Sequence, residues 1–317
     1  MLMLAGLMGM MLVGASAFIG LDRGEAVADG PVEPDETEAT VDLLATVFQE
    51  GILAGTDGAD EITGTSGDDQ IGGYSGDDTL WGRDGDDELR GGTGADLLSG
   101  QNGADTLLGG DDEDVVYGSD GDDLLFGQMG QDLLSGGSGA DIIIGGAGLD
   151  TLLGGSGDDV LHGGLGMDTA TGGAGADTIF GGSGDDWISG FQARLGEDDG
   201  ARDYLNGGEG ADTILGDAGD ILSLGEGADT AVLGDWIGPG DDAAQIIDFR
   251  VGEDQILLLY PEASDEPQDV SIADAADGVQ IVLDGVVVAL LPPGTLIGMS
   301  DIALMPDSAA GALLRTA

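Results

Sequence analysis

Aspartate recurs at a fixed spacing of nine residues through the middle of this chain. From Gly55 to Ser189 the unit G-x-x-G-x-D-x-φ-x, where φ is aliphatic, repeats fifteen times without a break. Asp occupies position 6 and Gly occupies position 1 of every unit. Gly also occupies position 4, except where Asp112 replaces it. Carboxylates at such regular spacing are suited to holding a hard cation such as Ca²⁺ through oxygen.

The apolar residue at position 8 indicates which element positions each Asp. Polar–apolar–polar over positions 7 to 9 is typical of a very short strand with one side chain pointing inward. A helix is excluded, because Gly at positions 1 and 4 would destabilise it by about 1 kcal/mol per residue. The preceding G-x-x-G-x-D is therefore predicted to be a turn, in which Gly permits positive φ. The position-8 residues are Ile62, Ile71, Leu80, Leu89, Leu98, Leu107, Val116, Leu125, Leu134, Ile143, Leu152, Leu161, Ala170, Ile179 and Ile188.

Strand and turn together predict an all-β solenoid. One strand plus one turn reverses the chain by about half a circuit, so two units close one turn of a coil. Each strand then stacks in parallel on the strand eighteen residues later, about 4.8 Å away. A single turn cannot bury its apolar face alone, and stability must come from neighbouring turns.

The predicted stacking places like charges against each other. Each position-6 Asp lies beside the Asp one turn away, and stacked carboxylates repel unless a cation lies between them. The Gly-rich turn adds carbonyl oxygens, and an all-oxygen site suits Ca²⁺. The chain has no Cys and a single His, which argues against zinc, copper and iron–sulfur sites. A second acid occupies position 5 in seven units: Asp68, Asp77, Asp86, Glu113, Asp122, Asp158 and Asp185.

The units from 136 to 189 carry a family resemblance. They read GGSGADIII, GGAGLDTLL, GGSGDDVLH, GGLGMDTAT, GGAGADTIF and GGSGDDWIS. This pattern resembles the hemolysin-type calcium-binding repeat of RTX (repeats-in-toxin) proteins, G-G-x-G-x-D-x-U-x. The resemblance implies a parallel β-roll in which Ca²⁺ lies between turns, held by position-6 Asp side chains and turn carbonyls. The implied ligands are Asp60, Asp69, Asp78, Asp87, Asp96, Asp105, Asp114, Asp123, Asp132, Asp141, Asp150, Asp159, Asp168, Asp177 and Asp186.

Departures from the pattern modify this expectation. Asp112 puts its own turn in doubt, and position 2 is often not Gly in the early units, so the later units are expected to bind better. An eight-residue insert, Gly190–Glu197, is predicted to form a loop. A degenerate unit, Asp198–Asn206, keeps Asp203 in register, and Gly207–Leu215 restores the pattern with Asp212 as a further ligand.

The net charge of −56 limits the kinds of partner that the chain can bind. The chain has only seven basic residues, all Arg, and this excludes nucleic-acid binding, which needs a basic surface. The resemblance implies roughly 13 calcium ions between turns, which would offset about half of this charge, so that binding energy becomes folding energy. The resemblance implies an extracellular or cell-surface protein that a type I secretion system exports and that folds in extracellular calcium.

The first 50 residues predict two further segments. Residues 1–21 are uncharged and long enough to span a bilayer. Three interpretations stay open: an anchoring hydrophobic helix, a signal peptide cleaved near Ala15-Ser16-Ala17, or a wrongly assigned start or buried helix. Residues 22–50 are acidic and predict a solvated linker. The repeat domain is therefore expected to span residues 51–215.

Residues 216–317 predict a degenerate repeat followed by a β-rich cap. Strand-like runs are Ala244–Phe249, Gln255–Tyr260, Val279–Leu283 and Val286–Leu291, and Asp284-Gly285 favours a hairpin between the last two. The region from Ile246 to Leu257 resembles the segment after the roll in serralysin-like RTX proteins. A solenoid needs a cap over its last turn, and Met305–Ala317 is a candidate export signal by position.

The sequence therefore favours a calcium-binding protein without enzymatic activity. No H-E-x-x-H motif is present, and the regular placement of the Asp residues favours metal ligation over catalysis. Two functional hypotheses of different class remain. One is calcium-triggered folding outside the cell, and the other is a surface adhesin or matrix protein that uses the roll as a rigid spacer.

Overall fold

The computed structural model describes residues 51–191, 200–234, 236–261 and 269–306, all within one compact unit. The expected hydrophobic helix at residues 1–21 and the acidic linker at 22–50 lie outside these residues. So do most of the insert after Gly190 and all but the first two residues of the candidate export signal. Within the described ranges, no helix is long and apolar enough to cross a membrane.

The strands of the described residues form two sheets, and odd- and even-numbered strands alternate between them as far as β22. The first sheet contains β1 (Ile52–Ala54), β3 (Gln70–Ser75), β5 (Glu88–Thr93), β7 (Thr106–Asp111), β9 (Leu124–Gly130), β11 (Ile142–Gly148), β13 (Val160–Leu165), β15 (Thr178–Ser183), β17 (Tyr204–Glu209), β19 (Ile221–Ser223), β21 (Ala244–Ile246), β23 (Val270–Asp274), β24 (Val279–Leu283) and β25 (Val286–Leu291). The second contains β2 (Glu61–Thr63), β4 (Thr79–Asp84), β6 (Leu97–Asn102), β8 (Val115–Asp120), β10 (Leu133–Ser138), β12 (Thr151–Ser156), β14 (Thr169–Ala174), β16 (Trp187–Phe191), β18 (Thr213–Leu215), β20 (Thr230–Gly234), β22 (Gln255–Tyr260) and β26 (Ile302–Pro306).

Parallel stacking at the repeat period builds both sheets and confirms the predicted parallel β-roll. Leu134 on β10 pairs with Leu152 on β12, and Ile143 on β11 pairs with Leu161 on β13, eighteen residues on in each case. The position-8 side chains from Ile71 to Ile188 fill the space between the sheets, and their exposed fraction is at most 2%. The core of the repeat array is therefore a column of aliphatic side chains contributed alternately by the two sheets.

The strands are longer than the predicted three residues. A typical strand such as β12 runs through positions 7 to 9 and continues into positions 1 to 3 of the next unit. The prediction was wrong here because Gly at position 1 was assigned wholly to the turn. In the structure this Gly faces the interior, and the strand bends at position 2, where Gly155 has φ of 121°.

Asp112 shows how the turns tolerate departures from the repeat. Positions 2 and 4 generally have positive φ, which favours Gly, and Asp112 adopts φ of 79° at position 4. Five non-Gly residues at position 2 do the same: Tyr74, Arg83, Gln101, Ser119 and Gln128. Stacking therefore overrides the local preference of these residues.

The C-terminal strands extend the solenoid and then close it. β22 pairs in parallel with β20, and β26 pairs in parallel with β22. β23, β24 and β25 form an antiparallel edge on the first sheet. The turn between β24 and β25 has positive φ at both Asp284 and Gly285, as the predicted hairpin requires. A short 3₁₀ helix, Met299–Asp301, precedes β26.

The core arrangement predicts opposite outcomes for two adjacent leucines. Leu152 at position 8 is fully buried, whereas Leu153 at position 9 is 37% exposed. In urea unfolding at saturating calcium, Leu152→Ala should lower the free energy of unfolding by about 2–5 kcal/mol. Leu153→Ala is the matched control and should cost less than about 1 kcal/mol. Equal losses for the two variants would contradict the assignment of the core.

Candidate metal centre

The position-6 Asp residues form two ladders, one along each row of turns between the sheets. Within a ladder, the backbone N–H of each Asp donates to Oδ1 of the Asp on the next turn, as from Asp105 to Asp123 at 2.8 Å. The first ladder is Asp60, Asp78, Asp96, Asp114, Asp132, Asp150, Asp168, Asp186, Asp212, Asp229 and Asp254. The second ladder is Asp69, Asp87, Asp105, Asp123, Asp141, Asp159, Asp177, Asp203 and Asp220.

All seventeen candidate ligands named from the sequence lie on these ladders. Asp203 and Asp212 take the next rungs after Asp177 and Asp186, across a step of 26 residues that spans the insert. Three further rungs were missed: Asp220, Asp229 and Asp254. The steps that lead to them are 17 or 25 residues long, which hides the nine-residue register.

Oδ2 of the interior carboxylates distinguishes these rungs from ordinary buried Asp residues. Among the described residues, no donor reaches this buried oxygen at thirteen rungs. These thirteen are called the open rungs: Asp78, Asp87, Asp96, Asp105, Asp114, Asp123, Asp132, Asp141, Asp150, Asp159, Asp168, Asp186 and Asp212. A buried carboxylate oxygen without a donor is costly, and such groups are rare unless an ion or water completes them.

A carbonyl oxygen faces the same space as Oδ2. A Cβ built on Gly154 would lie 2.4 Å from Oδ2 of Asp159 and 2.5 Å from the carbonyl oxygen of Gly172 on the next turn. Gly163 has the same surroundings, 2.5 Å from Oδ2 of Asp168 and 2.5 Å from the carbonyl oxygen of Gly181. Position 1 must therefore be Gly, because any side chain would fill the space where two acceptors meet.

Positive φ at positions 2 and 4 turns further carbonyl oxygens toward the next turn. A Cβ on Gly155 would lie 2.1 Å from the carbonyl oxygen of Gly137, and one on Gly157 would lie 1.9 Å from that of Gly139. Within the described ranges, no three His, Cys, Asp or Glu side chains gather as a metal cluster. A cation between the turns would therefore take carboxylate oxygens from the ladder and its remaining ligands from backbone carbonyls, a hard donor set that suits Ca²⁺.

The buried carboxylates of the ladders need a positive charge nearby to stay ionised. Burial, with a smaller contribution from the carboxylates one turn away, raises the pKa of Asp114, Asp123, Asp150, Asp159 and Asp186 to about 7. The same causes raise the pKa of Asp87 and Asp96 to about 6, although the ladder N–H bond lowers it in each case. Without a cation, these groups would take up protons near neutral pH.

The end rungs are built differently, with protein donors to Oδ2. Oδ2 of Asp60 accepts from the backbone N–H and Oγ1 of Thr56, at 2.5 and 2.9 Å. Thr65 donates in the same way to Asp69. At the C-terminal ends, Asp220 accepts from the N–H of Asp217 at 2.9 Å, and Asp254 accepts from that of Arg250 at 2.5 Å. Asp60, Asp69, Asp220 and Asp254 are called the closed rungs.

The position-5 acids form an outer, exposed line of contacts. Oδ1 of Asp122 accepts from the N–H of Ala140 on the next turn at 2.9 Å, and Asp158 does the same for Ala176. Asp86 and Asp185 make equivalent bonds with Ala104 and Ala211. These acids therefore fix the stacking of the turns from outside, a role that the sequence pattern did not reveal.

Comparison with known proteins agrees with this geometry. The family model described as the RTX calcium-binding nonapeptide repeat (4 copies) matches residues 54–89, 64–98, 81–116, 99–134, 135–170, 162–190 and 198–231, together more than half of the chain. No curated protein matches the chain. Among solved structures, the extracellular lipase LipA from Serratia marcescens is similar at 17% identity with a TM-score of 0.27. The match covers 67% of this chain and 40% of the lipase, so this chain corresponds to less than half of that protein.

The raised pKa values predict that the metal-free protein is more stable in acid. A carboxyl whose folded-state pKa lies above its unfolded value of about 3.9 stabilises the fold at low pH. That contribution is lost as the pH rises through about 6 to 7, where Asp87, Asp123 and Asp159 ionise. In a chelator, urea unfolding should therefore show stability falling from pH 5 to pH 8.

Calcium should reverse this dependence, because the ion binds the ionised carboxylates and competes with protons. At fixed calcium, the stability should rise over the same pH range. Stability in chelator that stays constant or increases between pH 5 and pH 8 would contradict the burial of these carboxylates.

Proposed function

The chain belongs to the RTX calcium-binding nonapeptide repeat family, and on that premise we propose that it is a secreted or surface-displayed β-roll whose folding extracellular Ca²⁺ triggers. Repeats of this family that form a β-solenoid imply calcium binding at multiple sites. The trigger, the site residues and the export route are the parts of the proposal that go beyond family membership.

The observation that carries the proposal is the meeting of acceptors at the open rungs. At Asp159, a buried carboxyl oxygen without a donor and the carbonyl oxygen of Gly172 face one space, and the pattern recurs along both ladders. Bound Ca²⁺ would supply the positive charge that this space lacks. The protein contributes the rest: Oδ1 is fixed by the ladder N–H, and Gly at position 1 keeps the space clear.

We assign the strongest binding to the open rungs, together with Asp177 and Asp203 on the second ladder. Asp60 and Asp69 also belong to the ligand set proposed from the sequence, but Thr56 and Thr65 already satisfy their Oδ2 atoms. A cation would have to displace these donors. We therefore infer that the first rung of each ladder binds calcium more weakly than the interior of the array.

The negative charge of the chain explains why folding would require calcium. The chain carries −56, and each stacked turn adds buried carboxylates to the ladders. Extracellular calcium modules work at roughly 10⁻⁴–10⁻³ M, far above the concentration at which cytosolic calcium sensors respond. An unfolded chain inside the cell and a folded roll outside it follow from this difference, which suits export through a type I secretion system. Membrane anchoring through residues 1–21 remains part of the proposal, as does the export signal near the C-terminus.

A second candidate is a surface adhesin or matrix protein that uses the roll as a rigid spacer. The observation that favours it is the continuity of the two sheets, whose stacked strands run from Ile52 to Pro306 in the described residues. Calcium-loaded protein immobilised on beads provides the test. Beads that gather no more cells than beads coated with the chelated protein would rule out adhesion.

We propose no catalytic role for the acidic residues. Each ladder Asp after the first rung is fixed by the N–H of the preceding rung, and position-5 acids such as Asp122 bond to the neighbouring turn. Neither arrangement leaves an acid–base pair facing a substrate cleft.

The proposal predicts a gain of β structure on calcium addition. Far-UV circular dichroism of the chelated protein at pH 7.5 should show a cooperative increase in β signal as Ca²⁺ reaches millimolar concentration. Mg²⁺ at the same concentration should produce a much smaller change, because it requires a tighter octahedral site and dehydrates reluctantly. No gain of β signal with Ca²⁺ would sink the proposal.

Two adjacent acids provide a test at the level of one site. Asp123 is an open rung, and Asp122 lies beside it on the exposed outer line. Asp123→Asn should raise the calcium midpoint and lower the stability at saturation, by about 2–3 kcal/mol if one site near 100-fold saturation is lost. Asp122→Asn is the matched control, since an amide oxygen can still accept the N–H of Ala140. Calcium titrations that do not separate the two variants would contradict the ligand assignment.

A further inference from the structure

The C-terminal end of the first ladder carries a positive charge of its own. The guanidinium of Arg250 donates through Nη2 to the carbonyl oxygen of Gly227 at 2.9 Å, and the same nitrogen lies 3.5 Å from Oδ2 of Asp229. Nε of Arg250 lies 3.9 Å from Oδ2 of Asp254. The side chains of Asp229 and Asp254 are fully buried, whereas that of Arg250 is 36% exposed and reaches these carboxylates from the surface.

The repeat register shows what these oxygens do elsewhere. Asp229 is the position-6 rung and Gly227 the position-4 residue of their turn, which pairs with the turn of Asp212 through Thr213 and Thr230. At Asp212, one turn earlier, no donor reaches Oδ2 among the described residues. At Asp229, a single guanidinium reaches both the position-6 carboxylate and the position-4 carbonyl.

Arg250 itself occupies a repeat position. Thr230 pairs with Gln255 and Ala231 with Ile256, so Phe249–Leu257 is one more degenerate unit of the coil. Arg250 is position 2 of this unit, Gly252 is position 4 and Asp254 is position 6. The N–H of Arg250 donates to Asp254, as the N–H groups of Thr56 and Thr65 do to Asp60 and Asp69. The Arg side chain is thereby directed back over the preceding rung.

Other arginines in the described residues are placed differently. Arg90 pairs with Glu88 on the outer face of the first sheet, where the Arg side chain is 64% exposed. Arg202 pairs with Asp242 at 3.9 Å, and both side chains are more than half exposed. Exposed pairs of this kind contribute little to stability. Because the chain has no Lys and few Arg, a positive charge such as that of Arg250 beside a buried rung is unusual in this acidic chain.

We propose that the guanidinium of Arg250 is a tethered cation that takes the place of calcium at Asp229, so that the last turn of the first ladder closes without the metal. The inference rests on the proposed calcium sites at the open rungs. It adds that Asp212 is the last rung of this ladder that requires calcium. Arg suits the role because its planar group offers several donors and stays charged at every physiological pH.

Charge-neutral and charge-preserving variants test the proposal in the full-length chain. Arg250→Gln removes the cation, Arg250→Lys keeps it, and Arg202→Gln is the control at an exposed pair. Hydrogen exchange at the lowest calcium concentration that folds the wild type reports the closure of the last turn through the N–H of Gln255, which donates to the carbonyl oxygen of Asp229 at 2.8 Å. Equilibrium dialysis reports the number of calcium ions bound per chain.

At this limiting calcium concentration the wild type should protect the Gln255 amide, whereas Arg250→Gln should lose this protection by about tenfold or more and regain it in saturating calcium. The variant should then bind about one calcium ion more than the wild type. Arg250→Lys should retain much of the protection, and Arg202→Gln should match the wild type in both measurements.

Two results would overturn the proposal. One is a wild type and an Arg250→Gln variant with equal calcium stoichiometry and equal protection at limiting calcium. The other is an equal failure of the Gln and Lys variants to fold, which would show that charge is not the property that matters. A wild type that binds no calcium would instead refute the proposed function, and the dialysis measurement separates that result from these two.

Discussion

The rest of the structure depends on one electrostatic conflict, the meeting of a buried carboxylate oxygen with a carbonyl oxygen between stacked turns. Parallel stacking at the period of two units brings every position-6 Asp under its copy on the next turn. The ladder N–H satisfies Oδ1, but Oδ2 faces the carbonyl oxygen of the next position-1 Gly, and two acceptors cannot satisfy each other. The aliphatic column holds the sheets together, yet it cannot remove this conflict.

The glycine pattern follows from the same conflict. Position 1 must lack a Cβ because the atom would fill the space that a cation needs, and positions 2 and 4 require a backbone that turns their carbonyl oxygens toward the next turn. Non-Gly residues appear at position 2 in the early turns, where Tyr74 and Arg83 adopt positive φ, but Gly is retained at position 1 throughout the fifteen units. Gly is therefore required more strictly at position 1 than at position 2. The requirement comes from the space that the cation needs and not from the conformation of the turn.

The sequence predicted much of this arrangement because the repeat period carries most of the information. A spacing of eighteen residues between stacked strands follows from two units per coil, and it places the position-8 side chains inside and the Asp residues in register. The C-terminal runs around Gln255–Tyr260 and Val279–Leu283 were also recognisable as strands from their β-branched and aliphatic content. What escaped prediction depends on distances that the sequence does not encode. Asp229 and Asp254 joined the ladder across irregular spacings, and the contact between Arg250 and Asp229 requires the chain to fold back over its own preceding turn.

The contrast between open and closed rungs follows from position along the stack. An interior rung has a turn on either side, so a cation there can be surrounded by oxygens from both. The terminal rungs Asp60, Asp69, Asp220 and Asp254 end the Asp ladders, so a cation beyond them would be coordinated from one side. At all four, a backbone N–H satisfies Oδ2 instead. Asp229 lies between these cases, because the turn that follows it is the last, and there a side chain supplies the charge. A calcium ion, a proton, a backbone N–H and a guanidinium are thus alternative ways to satisfy Oδ2 of a ladder Asp. The number of neighbouring turns determines which of them a given Asp can use.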